Sequence, residues 1–336
     1  MVGAGAFGRN HARVYRELQQ QGEPVRLAAV VDAELGRAQE VAGEQAAFGS
    51  VRELLAGAKI DAASVAVPTV HHLEVARELM TAGVDVLIEK PMAATLQEAD
   101  QLIRTAKQKG RVAQAGHLER FNPAVRATVP LITRPMFFEV HRLSPFGPRA
   151  LDVDVVLDLM IHDLDVVLSL VNSPIKEIRA VGLPILSTKV DIANVRMEFD
   201  SGCVANFTAS RVSTERVRKL RFFQPRQYFS LDYTRQDVLV ISVGEAPHDP
   251  RTGVFEFQEF ERRSAGEPPV MPGFEISKPE VVREEPLKAE LKSFLDAVRQ
   301  RRAPVVTLED GRRALAAALE ILSAIRAHAK RANLSI

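Results

Sequence analysis

A chain of 336 residues is too long for one ordinary domain and suits two. Lysine and arginine (44) nearly balance aspartate and glutamate (43), so no strong field gathers nucleic acid or a membrane surface. One cysteine, Cys203, excludes an intrachain disulfide framework; no apolar run approaches the ~20 residues of a membrane span, no signal-peptide layout opens the chain, and a cytoplasmic setting is expected.

The first third alternates amphipathic helices with short apolar strands. Helices are predicted over 7–21, 35–42, 51–55, 72–82 and 96–109, the last two stopped by Gly83 and Gly110. Strands are predicted over 25–31, 62–67, 84–88 and 112–115. This βα repetition has the spacing of a doubly wound, Rossmann-type parallel sheet over residues 1–116. From His117 onward the texture changes. One long helix over 153–171 precedes runs of β-formers at 177–181, 192–199, 204–210, 219–223, 228–233 and 238–243. Turn signals such as Asp200-Ser201-Gly202 and Gln224-Pro225-Arg226 separate these runs and predict antiparallel meander pairing. The proline-rich stretch 266–286 reads as an extended excursion, and helices over 287–300 and 308–330 close the chain. The fold class is therefore α/β plus α+β. The second domain, residues 117–336, is expected to be a mostly antiparallel open sheet with a long helix, serving substrate binding and oligomerisation.

Gly3-Ala4-Gly5-Ala6-Phe7-Gly8 stands at the start of this pattern. In such a fingerprint Gly3 permits a tight turn, Gly5 lets backbone approach a pyrophosphate, and Gly8 lets the helix pack on the strand. Asp32, at the end of the next strand, can accept hydrogen bonds from both ribose hydroxyls and repels a 2′-phosphate, which favours NAD over NADP. The bland alternative is a glycine-rich loop with Asp32 as a surface turn residue. Only Met1-Val2 precede Gly3, whereas a central strand needs ~5 residues. The first strand is thus expected to be truncated, with a native start upstream of Met1, and the fingerprint turn poorly anchored if the chain begins here.

Lys90, in Glu89-Lys90-Pro91, directly follows an apolar strand, and in open α/β sheets ligands bind at the carboxyl ends of strands. A cation there points at whatever the glycines hold. On the long helix, Asp154, Asp158, His162 and Asp165 are spaced by four, four and three among Val, Leu, Ile and Met. Such a narrow polar stripe can line an internal cavity, where a carboxylate beside histidine forms a proton-transfer pair. It can equally be an acidic cluster favoured by the helix dipole, with His162 a core residue. A metal site is not expected, because no further His or Cys stands at ligand spacing.

The glycine fingerprint, Glu89-Lys90-Pro91 and the Asp158/His162 pair together resemble the Gfo/Idh/MocA family of NAD(P)-dependent sugar oxidoreductases. The resemblance extends to Val67-Pro68-Thr69 with His72, to Gly116–Pro123 and to the closing Pro286-Leu287-Lys288 and Thr307–Gly311 patterns. It implies that Gly3, Gly5, Ala6, Phe7 and Gly8 hold the pyrophosphate and Asp32 the adenosine ribose. Pro68, Thr69 and His72 would flank the nicotinamide side, with Glu89 nearby. Lys90 would touch both the nicotinamide ribose and the reacting hydroxyl, with His162 removing the hydroxyl proton and Asp158 as a second substrate contact. Many members carry a glycine-rich loop before the Asp/His helix, where this chain has Leu151-Asp152-Val153-Asp154.

Within the family, Gly116–Pro123 and Asp152–Asp165 resemble the branch that oxidises the C3 hydroxyl of UDP-N-acetylhexosamines, and His117, Glu119, Arg120 and Asn122 join Asp158 and His162 as expected substrate contacts. A diphosphate needs cations, and Arg120, Arg142, Arg149 and Arg211 are candidates, although each can also be a solvated charge. The alternatives are a dehydrogenase of a free sugar or inositol, or a non-catalytic nucleotide-binding regulatory protein. Val195, Met197, Phe199 and Phe207 are expected to pave an open sheet face that a second copy covers, giving a homodimer or homotetramer.

Overall fold

The computed structural model describes residues 1–147, 153–244 and 274–334. Five parallel strands form the first layer: β1 (Ala29–Val31), β2 (Ala46–Phe48), β3 (Ala62–Val65), β4 (Asp85–Glu89) and β5 (Ala113–Gly116). β1 pairs with β2, while β3, β4 and β5 pair in that order. Val2 joins the two groups through parallel bridges to Val31 and Val65, so the layer has the strand order of a doubly wound sheet. The weak anchoring expected of the fingerprint turn is not found. Val2 N donates to Ser64 O and Val2 O accepts from Ala66 N, while Gly3 N donates to Val31 O and Met1 O accepts from Val31 N, each at 2.8 Å.

Helices α1 (Ala6–Gln20), α2 (Leu35–Ala42), α3 (Val51–Gly57), α4 (His72–Thr81) and α5 (Leu96–Lys109) flank this layer. Local chemistry sets their ends. Thr95 Oγ1 accepts from Glu98 N at 3.2 Å to start α5, and Gly110, left-handed at φ 60°, stops it. β4 is buried along its whole length because helices cover both faces of the sheet, which is why it reads as a continuous apolar run.

Among the described residues the second sheet has eight strands: β6 (Phe137–Leu143), β7 (Ile175–Leu183), β8 (Ile192–Phe199), β9 (Val204–Ser210), β10 (Val217–Gln224), β11 (Gln227–Asp232), β12 (Asp237–Val243) and β13 (Phe274–Ser277). Their order is β13-β12-β11-β10-β6-β9-β8-β7, with every pairing antiparallel except β6 with β9. The expected meander is thus interrupted, since β6 inserts between β9 and β10. The stretch expected to be extended holds the edge strand β13, and its residues 266–273 lie outside the described residues.

α6 (Pro123–Thr128) follows the first layer, and α7 (Ile161–Leu170) and α9 (Leu308–Arg331) cover the inner face of the second sheet. Val195, Met197, Phe199 and Phe207 are no more than 1% exposed and pack there with Ile161, Leu164 and Ile321, so they do not pave the open face. Period-two alternation sends these side chains inward and leaves Asn194, Arg196, Asn206 and Thr208 outside.

α8 (Pro286–Gln300) returns to the first layer. Its Leu287, Leu291 and Phe294 share a core with Leu18, Val30 and Leu87, each such side chain worth roughly 1.5–3 kcal/mol on burial. A cavity of about 750 Å³ beside Met1, Ala29, Ser64 and Asp85 opens at the amino ends of the parallel strands, away from the end where such sheets bind ligands. Among the described residues no helix is long and apolar enough to cross a membrane.

Candidate active site

Sterics explain the glycines. Gly3 has φ +93°, and a Cβ there would lie 2.5 Å from Ala66 O. A Cβ on Gly8 would lie 1.8 Å from Gly3 O, so only glycine lets α1 pack this closely on the turn. A Cβ on Gly5 would meet nothing within 4 Å, because the space in front of α1 is open. Gly5 is the N-cap, Ala6 and Phe7 begin the helix, and no side chain caps it, so its first amides and the positive end of its dipole suit a phosphate. Asp32 follows β1 and steadies the loop. Its Oδ2 accepts from Ala4 N at 2.7 Å and its Oδ1 from Glu34 N at 3.0 Å, with Arg37 Nη1 3.7 Å away.

Glu89 ends β4 and is buried, its Oε1 2.8 Å from His11 Nε2 on α1. This bond ties the phosphate-facing helix to the strand that carries Lys90. Lys90 Nζ donates to the Asp158 backbone oxygen at 2.7 Å and lies 3.5 Å from Asp158 Oδ1. Burial pulls the Lys90 ammonium below its ordinary pKa, and the carboxylates of Asp158 and Glu89 oppose that pull. Lys90, Thr69, Pro91, Asp154, Leu157 and Asp158 line a cavity of about 370 Å³. Pro68 caps the short turn that presents Thr69. His72, expected to flank the nicotinamide, is instead 1% exposed and bridges Val67 O and Pro91 O, each at 2.9 Å, which sets the backbone on both sides of the cavity.

The long helix is not one regular helix: Val156–Met160 form a π turn before α7. Its i→i+5 bonding disturbs the four-residue rhythm, so the stripe does not stay on one arc. Asp154 lines the cavity and accepts from Val190 N at 2.9 Å, and Asp158 meets Lys90. His162 is held neutral by burial first, then by the charges of Lys90 and Arg142, which keep its pKa well below 6.5; its Nδ1 has no hydrogen-bond partner among the described residues. Asp165 turns away, 3.8 Å from Arg120 Nη1.

Behind this centre lies a buried ionic cluster that sequence reasoning missed. Arg142 grips Asp163 through two bonds of 2.6 and 2.9 Å, donates to Glu119 at 3.1 Å and stacks over Tyr233 at 5.3 Å. Asn122 caps α6 through Ala124 N and donates to Glu119 and to Tyr233 O. Glu119 and Asn122, expected as substrate contacts, therefore spend their bonding capacity on the interior. His117 is 1% exposed and lies beside Asp165 and Arg120, with burial lowering its pKa. Arg120 is drawn to Asp165 and Asp310. The expected diphosphate cations fare no better: Arg142 is consumed as above, Arg211 is buried against Val153 O and Asp191, and Arg149 lies outside the described residues. His11 had a legible signal, an inward position on α1 three residues after Gly8. Glu290, fully buried on α8, is pushed well above the ordinary carboxyl range by burial and then by Glu89 and Asp165, and nothing in the sequence marked it. Among the described residues, no group of three or more His, Cys, Asp or Glu side chains is placed to hold a metal ion.

Two family descriptions match the chain: "Oxidoreductase family, NAD-binding Rossmann fold" over residues 1–117 and "GFO/IDH/MocA C-terminal domain" over residues 133–226. The UDP-N-acetylglucosamine 3-dehydrogenase of Acidithiobacillus ferrooxidans is 37% identical over 334 residues, 98% of either chain. Its solved structure superimposes with a TM-score of 0.84 at 36% identity, covering 97% of this chain and 96% of that one. The scyllo-inositol 2-dehydrogenase (NAD(+)) of Bacillus subtilis is 27% identical over 231 residues, 63% of this chain and 67% of its own.

Proposed function

Because the chain belongs to the Gfo/Idh/MocA family of oxidoreductases, which work with a nicotinamide dinucleotide, we propose that it oxidises a secondary sugar hydroxyl with NAD, at C3 of a UDP-N-acetylhexosamine. The observation that carries this reading is the meeting of Lys90 with Asp158 at one cavity, with the Lys90 charge reaching a buried histidine that is held neutral. The full-length match to a UDP-N-acetylglucosamine enzyme supports the nucleotide sugar over a free polyol, since the inositol enzyme of Bacillus subtilis aligns with only 63% of the chain.

The glycine turn and the start of α1 would hold the pyrophosphate, Asp32 the adenosine ribose, and Pro68 and Thr69 the nicotinamide side. Asp32 favours NAD, because a 2′-phosphate beside its carboxylate would be repelled. The nicotinamide, when bound, supplies the hydride acceptor. His162 takes the hydroxyl proton, and the Lys90 ammonium stabilises the alkoxide charge that develops on the same oxygen. Asp158, bonded to Lys90, fixes where that ammonium sits. The open face of the eight-stranded sheet is where a second copy would pair, giving a homodimer or homotetramer.

The test is NADH absorbance with NAD and UDP-N-acetylglucosamine, beside free glucose, inositol and no substrate. NADH should form with the nucleotide sugar, and Lys90→Ala and His162→Asn should each lower kcat by roughly 10²-fold or more. Formation only with a free polyol would overturn the substrate.

A further inference from the structure

Among the described residues, Arg218 has no ion-pair partner, and its charge reaches the His162 imidazole. In the antiparallel pairing of β6 with β10, Arg218 lies directly opposite Arg142, so both side chains leave the same face of the sheet. That face is the inner one, because Arg142 is buried on it and bonded to Asp163, the neighbour of His162 on α7. Arg216, which directly precedes β10, lies near enough for its charge to act on Arg218. Both Arg216 and Arg218 are exposed, and among the described residues neither forms an ion pair or a side-chain hydrogen bond.

Charge balance sharpens the point. The carboxylates within reach of Arg218 are Glu119 and Asp163, and Arg142 already engages both. Partial desolvation, then the charges of Arg142 and Arg216, push the Arg218 guanidinium below its ordinary pKa, while Arg218 in turn helps to hold His162 neutral. Three guanidinium groups thus face two committed carboxylates. An unpaired guanidinium crowded by like charge is suited to a doubly charged group that accepts two parallel hydrogen bonds.

Resting on the nucleotide-sugar reading, we propose that Arg218, assisted by Arg216, binds the diphosphate of the substrate and selects nucleotide sugars over free polyols. The chain then has two distinct cationic tasks, Lys90 at the reacting hydroxyl and Arg218 at the diphosphate, with Arg142 as the buried brace of β6 against α7.

The test is calorimetric titration of UDP into the full-length protein in the presence of NAD, for wild type and for Arg218→Ala, Arg218→Gln and Arg216→Ala, with turnover of UDP-N-acetylglucosamine alongside. Arg218→Ala and Arg218→Gln should weaken UDP by about 10- to 100-fold and raise KM by a similar factor, with NAD affinity nearly unchanged. Arg216→Ala should do less. An Arg218 variant that keeps NAD affinity and binds UDP as tightly as wild type would overturn the assignment. Wild type that fails to bind UDP would remove the nucleotide-sugar reading itself, and the phosphate role with it, before any substitution is compared.

Discussion

His162 can accept a proton only while its imidazole is neutral, and Lys90 can stabilise an alkoxide only as an ammonium. Burial is the first cause of both pKa shifts, and it moves both groups down: His162 well below 6.5 and Lys90 below 10.5. The base therefore stays competent on the acid side of neutrality, and the electrophile is lost earlier than a free lysine would be on the alkaline side. A plot of kcat/KM against pH should show an acid limb well below 6.5 and an alkaline limb below 10.5. Lys90→Arg, if it retains measurable turnover, should lose the alkaline limb, since a guanidinium does not deprotonate in this range. An acid limb at or above 6.5 would remove His162 from the role of base.

At the scale of elements, the glycine turn separates two kinds of constraint that a sequence pattern merges. Gly8 is fixed by packing, because a Cβ there would collide with Gly3 O, whereas a Cβ on Gly5 meets no protein atom. Gly8→Ala should thus lower stability by about 1–3 kcal/mol, and Gly5→Ala should leave the melting temperature alone while weakening NAD at least about tenfold, as differential scanning calorimetry and titration would show. The βα repeats were legible because buried strands read as apolar runs and the Gly83 and Gly110 stops are local signals. β6 was not, because its inward alternation of Phe138, Val140 and Arg142 places a charge at a core position, and the partners that neutralise it, Glu119 and Asp163, are distant in sequence. The same lack of visible counter-ions made Arg142 and Arg211 look available for phosphate. Helical spacing brought Asp158 and His162 into view, but the π turn at Val156–Met160, which breaks that spacing before Asp165, has no local signal in the sequence.

At the scale of the whole molecule, the described residues leave a large surface to explain, the outer face of the eight-stranded sheet. Strand register lines up an apolar row across it: Phe137 opposite Phe223, Phe223 opposite Tyr228, Tyr228 opposite Ile241, and Ile241 opposite Ile276. Ring contacts of 5.7 Å between Phe137 and Phe223 and 5.0 Å between Phe223 and Tyr228 hold the row together, yet Phe223 stays 38% and Ile276 45% exposed. These side chains lie on the opposite face from Phe138 and Phe222, so they add nothing to the core beneath α7 and α9. A row of this length across five strands is costly to leave in water, and a second copy of the same face can cover it with the self-complementarity of a two-fold axis. Sedimentation velocity at micromolar concentration should show wild type as a dimer or tetramer and Phe223→Asp as a folded monomer. Wild type sedimenting as a monomer would rule the pairing out, and the row would then need a partner of another kind.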